Sequence, residues 1–298
     1  MKKNTRREFL TSVAGAGALM GTVGAKTSKS VPAPTMGVLG NTGIKVTRMA
    51  VGTGWRGGRR QSEHTRMGFE KLVDLMHHAY DRGIRFYDMA DLYGTHVYMR
   101  EALRTLPRDE LTLLTKLWWP YDSNKPAELS KELRYRSAKK DFERFCHEMS
   151  VDRIDILLLH CLRKEDWLGE MSPYMEALQE LKDEGKIGAL GVSCHDFGAM
   201  KTSVKSPWVD VMLARLNPYN ASMDASPEEV VALLKQARAK GKGIIGMKIF
   251  GNGKLVDRKE ECMKFAQENG VFDAMTIGAT TPEQIDENLA LMAKYPMA

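Results

Sequence analysis

Short apolar runs alternate along this chain with longer stretches in which apolar positions recur every third or fourth residue. Met49–Gly54, Ile84–Asp88, Leu111–Lys116, Arg153–His160, Ile187–Ser193, Asp210–Arg215, Gly243–Lys248 and Phe272–Ile277 are the short runs. Near-continuous apolar character bounded by turn residues predicts strands buried on both faces. Between them, Phe69, Leu72, Val73, Met76 and Ala79 mark one face of a helix beginning near Thr65. Further helices are predicted near Val97–Leu106, Pro126–Met149, Ser172–Glu184, Pro227–Lys240, Arg258–Asn269 and Pro282–Ala293. Met36 to Val46 reads as two short strands around Asn41-Thr42-Gly43, a hairpin signal. Strand and helix alternate about eight times, and no repeat of 20–50 residues is visible. The expected architecture is a single α/β domain over residues 36–298, an eight-stranded parallel (β/α)8 or TIM barrel.

In such a barrel, side chains at the C-terminal strand ends meet at one mouth. The strand Ile84–Asp88 ends on a carboxylate and runs into Met89-Ala90-Asp91-Leu92-Tyr93-Gly94; the next closes on Lys116, and the one after on His160. Each is an ordinary rim residue when taken singly. Asp88, Tyr93, Lys116 and His160 on successive strand units form a proton-transfer group rather than a metal site. Asp91 reads as a carboxylate that caps the loop.

In that order, these four residues resemble the tetrad of the aldo/keto reductases. "GIRFYDMADLYG", "LLTK", "DRIDILLLH", "GKIGALGVS" and "IGATTPEQIDENL" carry the resemblance across nearly all of residues 36–298. It implies that the hairpin closes the barrel bottom and that the chain reduces or oxidises a carbonyl or alcohol in a small molecule: an aldehyde, ketone or sugar. Hydride must come from NADP or NAD, because no side chain donates it. Tyr93 is then the general acid/base, and a free tyrosine titrates near 10. Lys116 is expected to favour the phenolate, Asp88 to hold Lys116, and His160 to orient the substrate oxygen.

On the cofactor side, the resemblance assigns Thr53, Ser193, Lys248, Gly278, Gln284 and Asn288. Ser193 matches the serine that contacts the nicotinamide carboxamide. The asparagine expected next is Cys194, the expected glutamine falls at Leu213, and the stacking aromatic aligns with Met247. Lys248 can reach the pyrophosphate. The lysine and arginine that many members use for a 2′-phosphate read Gly278 and Gln284. Trp55, Trp118, Trp119 and Arg215 are expected to bound the substrate, with Arg56, Arg59 and Arg60 either walling the mouth or solvated. The sequence ends soon after the final helix, at Tyr295-Pro296-Met297-Ala298, so a long C-terminal substrate loop is expected to be missing.

Composition changes this picture little. The formal charge is +6, of which Lys2, Lys3, Arg6 and Arg7 against Glu8 contribute a net +3 before Ala25. The remainder is too weakly basic to track nucleic acid. Thr5-Arg6-Arg7-Glu8-Phe9-Leu10, a Gly/Ala-rich run and Val23-Gly24-Ala25 resemble a twin-arginine export signal over residues 1–25. Residues 26–35 then form a linker, and the mature protein is expected in the periplasm, delivered by the twin-arginine machinery. The leader is short and glycine-interrupted for a stable membrane span. Since that route carries folded proteins, a dinucleotide loaded before export is expected to stay tightly bound. Cys146, Cys161, Cys194 and Cys262 form no C-x-x-C pair, so neither zinc nor another metal is expected. A monomer is the default. The alternative is a dinucleotide-binding sensor or partner protein that keeps the barrel without catalysis. A barrel hydrolase would need paired carboxylates or a metal cluster that the sequence does not offer.

Overall fold

The computed structural model describes residues 31–297. The expected export signal and the first half of the linker lie outside the described residues. Eight strands close a barrel: β3 (Met49–Gly52), β4 (Phe86–Asp88), β5 (Thr112–Leu117), β6 (Ile154–Leu162), β7 (Ile187–Cys194), β8 (Val211–Arg215), β9 (Gly243–Met247) and β10 (Ala274–Gly278). They run parallel and in chain order, with β10 returning to β3 through Met275 opposite Met49. Ahead of them, β1 (Met36–Val38) and β2 (Lys45–Thr47) pair antiparallel as the expected hairpin.

Alternation along each strand builds two cores. Ala50, Phe86, Leu114, Ile156, Leu158, Val211, Leu213, Ile245 and Met247 fill the barrel, with Leu39 from the hairpin turn packed among them. Tyr87, Leu113, Leu157, Leu190 and Met212 point outward to meet the helices through Leu72, Met76, Phe145, Leu178 and Leu234. A one-residue register slip would exchange the two sets, so burial on both sides specifies the pairing.

The helical layer departs from expectation where single residues decide. The helix expected from Thr65 is two, α1 (Glu63–Arg66) and α2 (Phe69–Asp81), because Gly68 adopts φ 101° between them. After α3 (His96–Ala102), α4 (Lys131–Met149) starts later than Pro126, where the Ser130 hydroxyl accepts from Leu133 N at 3.1 Å. By contrast, α5 (Trp167–Asp183) starts earlier and contains Pro173. Pro173 has no N–H for the carbonyl of Gly169, and Ser172 Oγ donates to that carbonyl at 3.2 Å instead. A helix that the sequence pattern did not announce, α6 (Phe197–Lys205), is capped by Asp196 accepting from Ala199 N at 2.7 Å. The last three are α7 (Pro227–Ala239), α8 (Lys259–Glu268) and α9 (Pro282–Lys294). Residues 31–35 are not a free linker: Val31 packs on the outer core and Thr35 O accepts from Arg48 N at 2.9 Å. All four cysteines are free. Among the described residues no helix is long and apolar enough to cross a membrane.

Candidate active site

The parallel strands bring Asp88, Lys116 and His160 to one end of the barrel, and the turn after β4 returns Tyr93 over them. Lys116 is fully buried, yet its ammonium is satisfied: it donates to Asp88 Oδ1 and, at 2.8 Å, to Met89 O. Thr276 Oγ1 on β10 donates to the other Asp88 oxygen at 2.8 Å. Burial lowers the pKa of Lys116 and Asp88 opposes it. The ammonium lies 4.8 Å from the centre of the Tyr93 ring.

Tyr93 OH stands 3.4 Å from His160 Nε2. Burial, with Asp88 and Cys161 adding to it, raises the tyrosine well above its ordinary value. This direction is opposite to the one expected from Lys116: desolvation dominates, and Tyr93 holds its proton. His160 is driven well below its ordinary value by burial, then by Lys116, His195, Lys248 and Arg163. It is therefore neutral. Its Nδ1 is buried without a partner, and Trp118 sits edge-on at 5.2 Å. Just beyond it, β6 shifts register between Leu159 and Leu162, with Cys161 at φ 61° and its N–H donating to Ser193 Oγ at 2.9 Å. Such a bulge re-aims neighbouring side chains.

The loop bearing Tyr93 is braced from outside. Asp91, with its side chain 1 % exposed, accepts from Arg60 Nε and from both terminal nitrogens of Arg144, each at 2.9 Å. Arg144, on α4, also bonds Asp141 (2.7 Å) and Glu148 (2.9 Å). Glu148 accepts from His96 Nδ1 at 2.7 Å, and His96 Nε2 meets Thr115 Oγ1, next to Lys116, at 2.6 Å. Although burial raises Glu148, His96 and Arg144 bring it down to about 2. Asp91 thus does more than cap its loop. Gly94 adopts φ 68° and lies so close to Arg60 O that a Cβ would overlap it. A Cβ on Gly54 would overlap the Tyr93 ring itself.

From Tyr93 a cavity of about 410 Å³ runs over the β3, β8, β9 and β10 ends to α9. Of the residues assigned from sequence, Asp88, Tyr93, Trp55, Lys248, Gly278, Gln284 and Asn288 line it, joined by Leu213 and Met247. Asn288 Oδ1 is buried there without a partner. Gln284 Oε1 accepts from Thr280 N at 2.8 Å.

Others lie elsewhere. Thr53 is fully buried; its hydroxyl donates to Asp88 O at 2.8 Å and meets Thr95 Oγ1 at 2.9 Å, bracing the loop. Ser193 is fully buried and holds the β6 bulge. Arg215, expected to bound the substrate, is paired with Asp224, Nε to Oδ2 at 2.9 Å. Trp119 packs on the outer core, and Trp118 reaches the site only through His160. Of the loop arginines, Arg60 pairs with Asp91 and Arg56 lies 5.1 Å from the centre of the Trp55 ring. Sequence reasoning missed Thr276 and Gly54. A threonine in the apolar run Ala274–Ile277 was the available signal for the first; Gly54 carried none. Among the described residues no three His, Cys, Asp or Glu cluster as a metal could require.

Residues 48–275 match the profile of the Aldo/keto reductase family. The chain is 26% identical over 196 residues to an NADH-specific methylglyoxal reductase of Escherichia coli, covering 62% of this chain and 60% of that protein. It is 25% identical over 197 residues to a D-threo-aldose 1-dehydrogenase of Pseudomonas, covering 59% of each. The matches thus span about three fifths of these relatives' length. In fold it is similar to the holo form of aldo-keto reductase AKR11C1 from Bacillus halodurans, with TM-score 0.65 and 20% identity over 89% of this chain and 93% of that one. The chain belongs to the aldo/keto reductase family of oxidoreductases.

Proposed function

We propose that this protein is a nicotinamide-dependent oxidoreductase that interconverts a carbonyl and an alcohol, with Tyr93 as general acid/base. The observation that carries the reading is the convergence of Tyr93 OH and neutral His160 Nε2 above the buried Lys116–Asp88 pair. The residues of the cavity suit a dinucleotide. Its apolar walls include Leu213, Met247 and Ile277, Lys248 on its lining makes no ion pair among the described residues, and Asn288 Oδ1 awaits a donor. Gly278, Gln284 and Asn288 would hold the adenosine end and Lys248 the pyrophosphate. When bound, the dinucleotide supplies or accepts the hydride.

In the reducing direction, Tyr93 enters with its proton in place and delivers it to the substrate oxygen. His160 directs that oxygen with a hydrogen bond. Lys116, beneath the Tyr93 ring, stabilises the phenolate left behind. Asp88 and Thr276 keep the ammonium in position.

Two finer readings follow. NAD is the proposed dinucleotide: Gly278 offers no side chain, Gln284 folds onto Thr280, and the nearby Lys259 is paired with Glu287 at 2.6 Å. Among the described residues no unpaired cation therefore faces a 2′-phosphate there. The NADH-specific relative supports the same choice. The twin-arginine pattern supports export to the periplasm with a resident dinucleotide that two successive substrates reduce and reoxidise.

One feature favours the non-catalytic alternative. Leu213 and Met247 offer no hydrogen bonds to a carboxamide, and the thiol of Cys194 is turned towards Ser203 at 3.5 Å. Purified protein given NADH or NADPH with methylglyoxal or an aldose decides between the readings. Turnover with NADH preferred is expected; binding of both dinucleotides without turnover of any carbonyl would establish the binder. Mass spectrometry of nucleotide released on denaturing the mature protein tests residence.

A further inference from the structure

The loop that leaves β3 is held in a conformation that its residues disfavour. Arg56, Arg59 and Arg60 all adopt left-handed backbone, at φ 49°, 53° and 57°, which is unfavourable for a residue with a Cβ. Gly58 and Gln61 exchange both backbone hydrogen bonds, Gly58 N to Gln61 O at 2.8 Å and Gln61 N to Gly58 O at 3.0 Å. Positive φ at both residues between them, Arg59 and Arg60, is the pattern of a type I′ turn, ordinarily filled by Asn-Gly. Strain of this kind persists only where the surrounding structure holds it, and it clusters at active sites.

Two sets of contacts hold this loop. Arg60 Nε donates to Asp91 Oδ1 at 2.9 Å, and its guanidinium lies 4.8 Å from the centre of the Tyr121 ring. Arg144 gives Asp91 two further bonds of 2.9 Å, so that carboxylate would keep partners without Arg60. The Arg60 bond therefore fixes the loop rather than the acid. The second set lies on Tyr93, two residues after Asp91. A Cβ on Gly54 would overlap Tyr93 Cζ, the carbon that carries the hydroxyl, and one on Gly57 would come 2.5 Å from Cδ1. Bare backbone is thus seated on the ring at two points, and the Gly94 backbone fits against Arg60 O. The contact borders the cavity, since Gly54 and Tyr93 both line it.

We propose that residues 54–61 form a clamp that sets the Tyr93 hydroxyl against His160 for proton transfer, with Gly57 and Arg60 as its positioning residues. This rests on the oxidoreductase reading above and deepens its site. Arg60 then acts through Tyr93 rather than on the substrate, and the strain of the turn is offset by its bond to Asp91.

The test compares kcat and KM for methylglyoxal or an aldose with NADH in the wild type, Gly57→Ala, Gly58→Ala, Arg60→Gln and Arg59→Asn. Gly58 neighbours Gly57 in the same turn, but a Cβ there meets open space. Arg59→Asn supplies a residue that suits the left-handed turn. Gly57→Ala should lower kcat by about ten- to a hundredfold, as a misplacement of roughly 1 Å does, and Arg60→Gln by about tenfold. In both, KM and the quenching of tryptophan fluorescence by NADH should be unchanged. Gly58→Ala and Arg59→Asn should keep the wild-type kcat. Arg60→Gln introduces no clash, so it carries the test if Gly57→Ala fails to fold. Wild-type kcat in either folded variant, a loss carried by KM, or equal losses in the two controls would overturn the proposal while leaving the oxidoreductase reading intact. If the wild type reduces no carbonyl, that reading falls, and NMR of tyrosine isotope-labelled at Cζ decides the clamp alone. A Tyr93 signal, assigned by its absence in Tyr93→Phe, that moves in Arg60→Gln but not in Arg59→Asn upholds it, and one that stays in place in Arg60→Gln refutes it.

Discussion

The two halves of the barrel mouth are built differently. On the β4–β6 side, most polar groups have partners: Lys116 with Asp88 and Met89, Asp88 with Thr276, Asp91 with Arg60 and Arg144, His96 with Glu148 and Thr115. On the β8–β9 side, Leu213 and Met247 line the cavity with apolar surface, and Lys248 has no acid partner among the described residues. Proton transfer depends on atoms placed to within fractions of an ångström, whereas a ring lying on an apolar wall tolerates slack. The first half is over-determined and the second adaptable.

The largest effect that could break this contrast is Lys116→Met. It leaves the Asp88 carboxylate buried without its cation, so urea unfolding should show a loss of about 3–5 kcal/mol together with loss of reduction; a change below 1 kcal/mol (about the value of an exposed pair) would show the pair to be dispensable. His64 comes next. It is fully buried against Gly278, and burial holds it at about 4 against an ordinary 6.5. The unfolded chain therefore takes up the proton first: stability is full above pH 6.5 and falls as pH drops towards 4, by on the order of 3 kcal/mol. His64→Leu should flatten that part of the pH–stability curve, and an unchanged slope would contradict it. Asp91→Asn, which removes the charge between Arg60 and Arg144, should cost about 1–3 kcal/mol and lower kcat more than it raises KM. In the adaptable half, Met247→Leu should cost less than about 1.5 kcal/mol and leave kcat within a few-fold of the wild type. A severe loss there would erase the distinction between the halves.

The ends of β4, β5 and β6 were legible because those apolar runs stop on Asp88, Lys116 and His160, and the barrel turns that one-dimensional fact into a shared mouth. That is why Asp88, Tyr93, Lys116 and His160 were found together. What stayed hidden depends on partners distant in sequence. Arg215 reads as a free mouth cation until the loop returns Asp224 to it. Arg144 reads as a solvated helix residue until its turn of α4 meets Asp91. Thr53 and Ser193 sit where a ligand contact is expected, but backbone carbonyl and amide groups take their hydroxyls. Burial, invisible in sequence, also reverses the shift that a nearby lysine suggests for Tyr93.

The most direct test of the account is the rate of carbonyl reduction by bound NADH in the wild type and in Tyr93→Phe, followed from pH 6 to 9. Because Tyr93 is raised above its ordinary value, it stays protonated throughout, so the wild-type rate should be nearly flat. Tyr93→Phe should bind NADH undiminished and reduce the carbonyl about 10²–10⁴-fold more slowly. A Tyr93→Phe rate close to that of the wild type, with NADH bound, would show that the proton comes from elsewhere.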